Sequence, residues 1–155
     1  MKKIKLGGKI GGQALVDDED FKKMNLINWF NQQGYAAGRL PRKRNIVFLH
    51  RLVMGTPKGM YTDHKNKNRL DNRKTNLRIC SRQENLRNVG LCKSNTSGFK
   101  GVSWKKYNKK WGCRIKINKK EIWIGYFDDK VKAAKAYDKA AIKYHKEFAS
   151  LNFPI

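Results

Sequence analysis

Residues 61–88 read YTDHKNKNRLDNRKTNLRICSRQENLRN, and this stretch decides the fold of the first half of the chain. Its polar part, residues 65–75, has too few apolar side chains to bury itself and is predicted to be a loop. Residues 76–80 alternate polar and apolar side chains and predict a short strand. Ser81 and Glu84 then have the spacing of a capping box, which is typical of the first turn of a helix. With a strand before the loop, the predicted order is strand, loop, strand, helix.

The first 60 residues predict mainly β-structure. Strands are predicted at residues 13–16, 35–40 and 46–49, with a basic turn at residues 41–44. The acidic run at residues 17–20 is predicted to start a short helix that extends through Trp29 and Phe30. The motif-bearing stretch is therefore expected to follow a β-rich N-terminal segment.

A polar linker, residues 89–98, separates the first half of the chain from a second one with different patterns. Strands are predicted at residues 100–107, 111–117 and 121–127, and their short connections predict an antiparallel meander. Asp128 or Asp129 is expected to cap a helix, because apolar side chains recur at three- and four-residue steps beyond it. The recurring positions are Val131, Ala134, Tyr137, Ala141 and Tyr144. The predicted class is α+β, with one domain at residues 1–92 and a three-stranded sheet packed on one helix at residues 93–155.

The charge of the chain predicts a polyanionic partner. Thirty-six Lys and Arg side chains face 12 Asp and Glu, for a net charge of +24, and this excess destabilises a compact isolated chain by self-repulsion. Residues 1–92 carry +13 and residues 93–155 carry +11, so both halves are expected to touch the polyanion. A membrane partner is not expected, because no stretch approaches the roughly 20 apolar residues of a spanning helix. The basic N-terminus lacks the apolar core of a signal peptide, which favours an intracellular nucleic-acid binder.

The three cysteines, Cys80, Cys92 and Cys113, are odd in number and contain no C-x-x-C pair. That pattern argues against a disulfide framework and against a structural zinc site. They are interpreted as small buried apolar residues.

The spacing of polar residues in the first half is similar to that of a nuclease family. The pattern D-H-x-N-x-N-x-x-D-N-R-x-x-N-L-R, followed by Q-E-N, closely resembles HNH homing endonucleases of the ββα-metal class. The upstream segment LHRLV, residues 49–53, is also similar to the segment that precedes the family's motif. The resemblance covers about residues 45–88. Its third motif position is Asn85 instead of histidine, an H-N-N variant that the family also contains.

This resemblance implies a one-metal nuclease. Asp63 and Asn85 would hold a divalent ion, Mg²⁺ or an alternative such as Mn²⁺, beside the scissile phosphate. His64 would be the general base, because an imidazole with a pKa of about 6.5 can take a proton from water near neutral pH. Asn76 would orient His64. Oxygen ligands suit a hard ion whose charge stabilises the leaving oxyanion.

Other polar residues of the first half have less defined roles. His50 supports the site, donates to phosphate or packs beside the motif, and it receives no catalytic role. Five arginines are candidate phosphate contacts, with a solvated face as the alternative: Arg69, Arg73, Arg78, Arg82 and Arg87.

The second half resembles the plant ethylene-response-factor (APETALA-two) DNA-binding domain over about residues 97–154. The resemblance rests on KGVSW at residues 100–104, IWIGYF at residues 122–127 and the closing A-x-L-N-F-P at residues 149–154. It implies that the sheet lies in the major groove of double-stranded DNA, with every second side chain facing the bases. The implied contact set is Lys100, Ser103, Lys105, Tyr107, Arg114, Lys116 and Trp123.

The same resemblance has departures that prevent transfer of the plant target sequence. Ser103 and Glu121 stand where the plant domains usually have arginine, and Arg114 stands where they have glutamate. Trp104 and Trp111 are interpreted either as DNA contacts or as core residues.

The resulting hypothesis is a site-specific, metal-dependent DNA endonuclease of the HNH homing type, acting in the cytoplasm of a bacterial or phage-infected cell. APETALA-two domains also occur fused to HNH nucleases in phages and bacteria. One His64 site per chain is compatible with nicking by a monomer and with paired cuts by a dimer. The alternatives are a catalytically silent DNA-binding regulator and an RNA-binding or ribosome-associated protein.

Overall fold

The computed structural model describes residues 1–40 and 45–154. Several small antiparallel sheets combine with few helices, which confirms the predicted α+β class. The chain divides into two units, Met1–Asn85 and Leu86–Ile155, a little before the domain boundary predicted after residue 92. The basic turn predicted at residues 41–44 lies outside the described residues.

The first unit contains three small sheets. Its strands are β1 (Lys2–Lys5), β2 (Gln13–Val16), β3 (Trp29–Gln32), β4 (Tyr35–Arg39), β5 (Ile46–Phe48), β6 (Tyr61–His64) and β7 (Leu77–Cys80). In the described residues they pair as β1-β2, β3-β4-β5 and β6-β7, always antiparallel. The helices are α1 (Asp18–Met24), α2 (Leu49–Val53) and α3 (Arg82–Arg87), of which α3 crosses into the second unit.

The prediction of one helix from the acidic run through Trp29 and Phe30 is wrong. Helix α1 ends at Met24, and both aromatic residues belong to β3. Trp29 is buried opposite Gly38 of β4, and its indole Nε1 donates to the carbonyl oxygen of Met24 at 2.8 Å. The local charge pattern starts the helix, but burial of the indole in a sheet decides the structure that follows it.

The N-terminal hairpin holds the polar loop between β6 and β7. The amide of Leu15 in β2 donates to the carbonyl of Leu70 at 2.7 Å, and its carbonyl accepts from the amide of Asn72 at 2.9 Å. At the far end of the loop, the Lys74 amide donates to Asp17 Oδ2 at 2.7 Å and its Nζ lies 2.5 Å from Glu19 Oε1. The loop is therefore ordered by an earlier part of the chain.

The second unit is a meander packed on one helix, as predicted. Its strands are β8 (Val102–Lys105), β9 (Lys110–Ile117) and β10 (Lys120–Phe127), in the order β10-β9-β8, followed by α4 (Lys130–His145) and a 3-10 turn, Lys146–Phe148. Asp129 caps α4 by accepting from the Lys132 amide at 2.8 Å. Ala134, Tyr137 and Ala141 are buried against the sheet. Tyr144 is exposed, and His145 has the buried position in the last turn.

The cysteines differ in their surroundings. Cys80 and Cys113 are buried, and burial raises the pKa of each thiol to about 11. Cys92 is exposed, so the prediction that it is a buried apolar residue is wrong. Its Sγ lies 3.4 Å from Ser94 Oγ.

Candidate nuclease site and nucleic-acid interface

Strands β6 and β7 place the first two candidate residues. Asp63 lies opposite Arg78 and His64 lies opposite Leu77, which belongs to the core of the first unit. Both candidate side chains are buried, with 6% and 5% of their surface exposed. A buried polar side chain needs specific partners, and those partners define what the site can do.

Asn72 fixes the tautomer of the His64 imidazole. Its Nε2 lies 3.2 Å from Asn72 Oδ1, while the Asn72 amide nitrogen donates to the carbonyl of Leu70 at 3.1 Å. That second bond fixes which atom of the amide faces the imidazole, so Nε2 of His64 is the donor. In a neutral ring the lone pair that can accept a proton is then on Nδ1.

The imidazole of His64 is also kept neutral. Burial lowers its pKa below the ordinary 6.5, although the hydrogen bond that it donates to Asn72 and the charge of Asp63 act in the opposite direction. Desolvation disfavours the charged form of a base, which explains the direction of the shift. A neutral imidazole near pH 7 is the form that a general base requires.

Asn76 acts on the loop and not directly on His64. Its Oδ1 accepts from the amide of Asn66 at 3.0 Å, and its Nδ2 donates to the carbonyl of Asp71 at 2.8 Å. The imidazole itself is hydrogen-bonded to Asn72, so an orienting effect of Asn76 on His64 would act through the loop. The sequence predicts only that Asn72 lies in a polar loop. Its side chain is fully buried, a property that its position in a polar loop does not indicate.

Arginines of this unit bind protein groups. Arg73 makes two 2.7 Å hydrogen bonds to Asp71 and holds the pKa of that carboxyl below its usual value. Arg69 donates to the carbonyl of Gln33 at 3.0 Å and lies 4.6 Å from the centre of the Tyr35 ring. Arg73, one of the five candidate phosphate contacts, is therefore bound to Asp71 and stabilises the loop.

The remaining candidates lie on or near α3. Arg82 is exposed at the start of the helix. At the end of the helix, Arg87 Nη2 donates to Asn118 Oδ1 at 3.4 Å, and both residues belong to the second unit. Of these two, Arg82 is the one without a protein partner among the described residues.

The candidate metal ligands are Asp63 and Asn85. Arg78 donates to Oδ2 of Asp63 through Nε at 2.9 Å and Nη2 at 2.6 Å. Asn85 lies on α3, whose start is the predicted capping box: Ser81 N donates to Glu84 Oε2 at 2.8 Å, and Glu84 N donates to Ser81 Oγ at 3.3 Å. The half-buried Asn85 side chain makes no hydrogen bond with the described residues.

This donor set fits a hard divalent ion. A carboxylate and an amide supply oxygen ligands, and Mg²⁺ keeps several water or phosphate oxygens in addition to one or two protein ligands. Within residues 1–40 and 45–154 there is no group of three His, Cys, Asp or Glu side chains arranged to hold a metal.

His50 packs beside the candidate base. Its ring centroid lies 5.1 Å from that of His64 and 5.3 Å from that of Tyr35. Its buried Nδ1 has no hydrogen-bond partner among the described residues. Burial lowers the pKa of His50 to about 3, so the ring is neutral and supplies no positive charge to a phosphate.

The second unit presents a polar face of its sheet, opposite the face covered by α4. Trp123 lies opposite Arg114 and Tyr126 lies opposite Gly112 in the strand register. We define the outer face by the side chains that share this side: Ser103, Lys105, Arg114, Lys116, Glu121, Trp123 and Tyr126. Five of the predicted DNA contacts thus lie together.

Aromatic side chains cover the middle of the outer face. A Cβ at Gly112 would lie 2.6 Å from the Trp123 ring and 2.8 Å from the Lys105 side chain, so only glycine leaves room for both. The Tyr126 ring lies 4.7 Å from that of Trp123. Sequence reasoning missed Tyr126, because a register shift between Trp123 and Gly125 interrupts the alternation that would have predicted it.

Two predicted contacts lie outside the three strands. The Nζ of Lys100 donates to the carbonyls of Arg87 and Val89 at 2.6 and 2.7 Å. Tyr107 is 97% exposed in the connection between β8 and β9. Trp111 packs on the helix-side core, and Trp104, its partner in the strand register, lies on the same side of the sheet with 45% of its surface exposed and its ring 5.2 Å from that of Trp111.

No helix in residues 1–40 and 45–154 has both the length and the apolar character of a membrane span.

Known proteins are similar to parts of this chain. Residues 47–87 match the HNH endonuclease family, so an HNH endonuclease domain is present. Protein 3.8 of Escherichia phage T7 is 47% identical over 55 residues, which cover 36% of this chain and 46% of that protein. An AP2/ERF and B3 domain-containing protein of Oryza sativa subsp. japonica is 41% identical over 59 residues, 38% of this chain and 16% of that protein.

Another plant protein matches at a similar sequence identity and over a segment of similar length. APETALA2-like protein 2 of Oryza sativa subsp. indica is 42% identical over 60 residues, 37% of this chain and 14% of that protein. The chain spans less than half the length of each of these three relatives.

Proposed function

We propose that this protein is a site-specific double-stranded DNA endonuclease of the HNH homing type. The observation that carries the proposal is the state of His64, a buried neutral imidazole whose proton is held on Nε2 by Asn72. The HNH match spans His64, Asn72 and the candidate metal ligands. A general base in this state is prepared to take a proton from an attacking water.

Residues of the first unit have separate roles in hydrolysis. His64 accepts the proton of the attacking water on Nδ1, and Asn72 keeps the ring in the required tautomer. Asp63 and Asn85 would hold a divalent ion, Mg²⁺ or Mn²⁺, and when bound there it would supply positive charge that stabilises a leaving oxyanion. Asn76 is a positioning residue, since it supports the backbone of the loop that carries Asn72.

The second unit supplies recognition. Its outer face combines Arg114, Lys116 and Lys105 with exposed Trp123, a combination suited to phosphate contact and to reading base edges in the major groove. Lys100 is left out of the reading set, because its Nζ binds backbone carbonyls. The phage relative supports action inside a bacterial or phage-infected cell.

Incubation with supercoiled plasmid tests the proposal directly. Plasmids that carry candidate sites are incubated with the protein, with and without Mg²⁺. Relaxed circles indicate nicking by one site, and linear molecules indicate paired cuts by two chains. DNA binding without cleavage under any divalent metal would instead identify a catalytically silent regulator.

Loss of one oxygen ligand should change the metal requirement. We expect Asn85→Ala and Asp63→Ala to raise the Mg²⁺ concentration needed for half-maximal cleavage, or to abolish cleavage, because each removes one oxygen donor. A Mg²⁺ titration of the cleavage rate measures this. Gln83→Ala, an exposed position on the same helix, is the control and should leave the titration unchanged. An unchanged titration for the Asn85 variant would remove that residue from the metal shell.

Loss of an outer-face side chain should weaken sequence-specific binding. We expect Arg114→Ala and Trp123→Ala each to cost about 1–3 kcal/mol on the cognate duplex, the range for a good base contact, with less effect on scrambled DNA. Lys139→Ala, on the exposed side of α4, should weaken both slightly and equally. Competition binding at one fixed salt concentration compares the variants. Equal losses on both duplexes would show that this sheet holds only the DNA backbone.

A further inference from the structure

The outer face carries an acidic side chain among its cations. Glu121 lies opposite Lys116 in the strand register, and its Oε2 accepts a hydrogen bond from Arg114 Nη1 at 2.9 Å. The other charged residues that define this face, Lys105, Lys116 and Arg114, are basic. A carboxylate placed there repels the phosphates of any DNA that the face binds.

Stability does not account for this carboxylate. The side chains of Arg114 and Glu121 are 50% and 54% exposed. Exposed ion pairs contribute little to folding, because solvent and salt screen the attraction and both side chains lose conformational freedom. The position of Glu121 is therefore better explained by its effect on Arg114 during binding.

The geometry favours an orienting effect. A guanidinium has five N–H donors in a fixed plane, and the bond to Glu121 is made by Nη1. An arginine whose side chain is already held loses less conformational freedom when it binds. Trp123 lies directly opposite Arg114 on the neighbouring strand. The flat base edge that suits such a fork is guanine, through O6 and N7.

We propose that Glu121 is a specificity-determining residue that orients Arg114 toward one guanine and weakens binding to unrelated DNA. This inference rests on the proposed reading of DNA by the outer face. Glu121 acts in two ways. It restricts Arg114 to the conformation that reaches the base, and its charge reduces the attraction of this face for any phosphate backbone.

Selection from a duplex library with randomised positions tests the proposal on the full chain. The wild-type protein is compared with Glu121→Gln, Arg114→Gln and the control Glu147→Gln. The control makes the same change in net charge at an exposed position beyond the end of α4. Affinities for the selected duplex and for a scrambled duplex are then measured at one salt concentration.

We expect Glu121→Gln and Arg114→Gln to lose the preference for guanine at the same base pair. Glu121→Gln should also lower the ratio of selected to scrambled affinity by about fivefold or more, the lower end for one base contact. Glu147→Gln should raise both affinities alike and leave the ratio unchanged.

Other outcomes overturn the inference. If Glu121→Gln behaves as Glu147→Gln does, Glu121 has no specific role. If its loss of preference falls on a base pair that Arg114→Gln leaves intact, Glu121 does not act through Arg114. If the wild-type protein and Glu147→Gln select no sequence at all, the proposed reading of DNA fails, which is a result distinct from the other two.

Discussion

Replacement of His64 by alanine is expected to lower the rate of DNA cleavage by about 10²-fold or more, as for loss of a general base. DNA affinity should change little, because the imidazole is buried, neutral and bound to Asn72. Cleavage is measured under single-turnover conditions with saturating protein. Affinity is measured separately without divalent metal.

Asn72→Ala is the informative companion variant. It leaves the imidazole in place but removes the acceptor that holds the proton on Nε2. We expect a loss of cleavage smaller than that of His64→Ala, because part of the population keeps the active tautomer. A wild-type rate for His64→Ala would remove this residue from catalysis, whatever the result for Asn72→Ala.

Gly101→Ala should destabilise the second unit by about 3 kcal/mol or more, from a left-handed backbone and an overpacked contact. Gly101 has a φ of +76°, and a Cβ there would lie 2.1 Å from the Tyr137 ring and 2.6 Å from the carbonyl oxygen of Arg114. Backbone cannot move away as the end of a flexible side chain can. The methyl group would separate the sheet from α4 or displace β9.

Gly98→Ala provides a matched control for this prediction. Gly98 has nearly the same φ, +79°, but a Cβ there meets nothing within 4 Å. Gly98→Ala should therefore lower the free energy of unfolding only by the cost of the left-handed backbone, about 1–2 kcal/mol. Urea unfolding followed by tryptophan fluorescence compares the two variants, since Trp104, Trp111 and Trp123 all lie in this unit. Equal destabilisation would show that the packing contact relaxes without cost.

Much of the first unit could be predicted because its signals are local. The capping box at Ser81 and Glu84 needs only neighbouring residues, and it forms the start of α3 as predicted. Alternation at residues 76–80 likewise predicts β7. These elements carry or flank the candidate residues, so the order strand, loop, strand, helix follows from short patterns.

The parts that sequence reasoning missed depend on distant contacts. Asn72 is buried because β2, far earlier in the chain, binds its backbone. Trp29 lies in a strand because Gly38, opposite it, leaves space for the indole. A Cβ at Gly38 would lie only 2.9 Å from the Trp29 ring. Lys100 turns to backbone carbonyls that no local pattern indicates. Such choices are made by tertiary packing, which a linear pattern does not contain.

The attachment of the polar loop to the N-terminal hairpin also has a consequence for recombination between related genes. The hairpin and the helix after it contribute Leu15, Asp17 and Glu19 to contacts with a loop encoded more than 50 codons later. A crossover between these two segments would combine the loop of one parent gene with the hairpin of another. The contacting side chains of such a recombinant would not have evolved together. Inheritance of the candidate catalytic loop is therefore tied to the beginning of the chain.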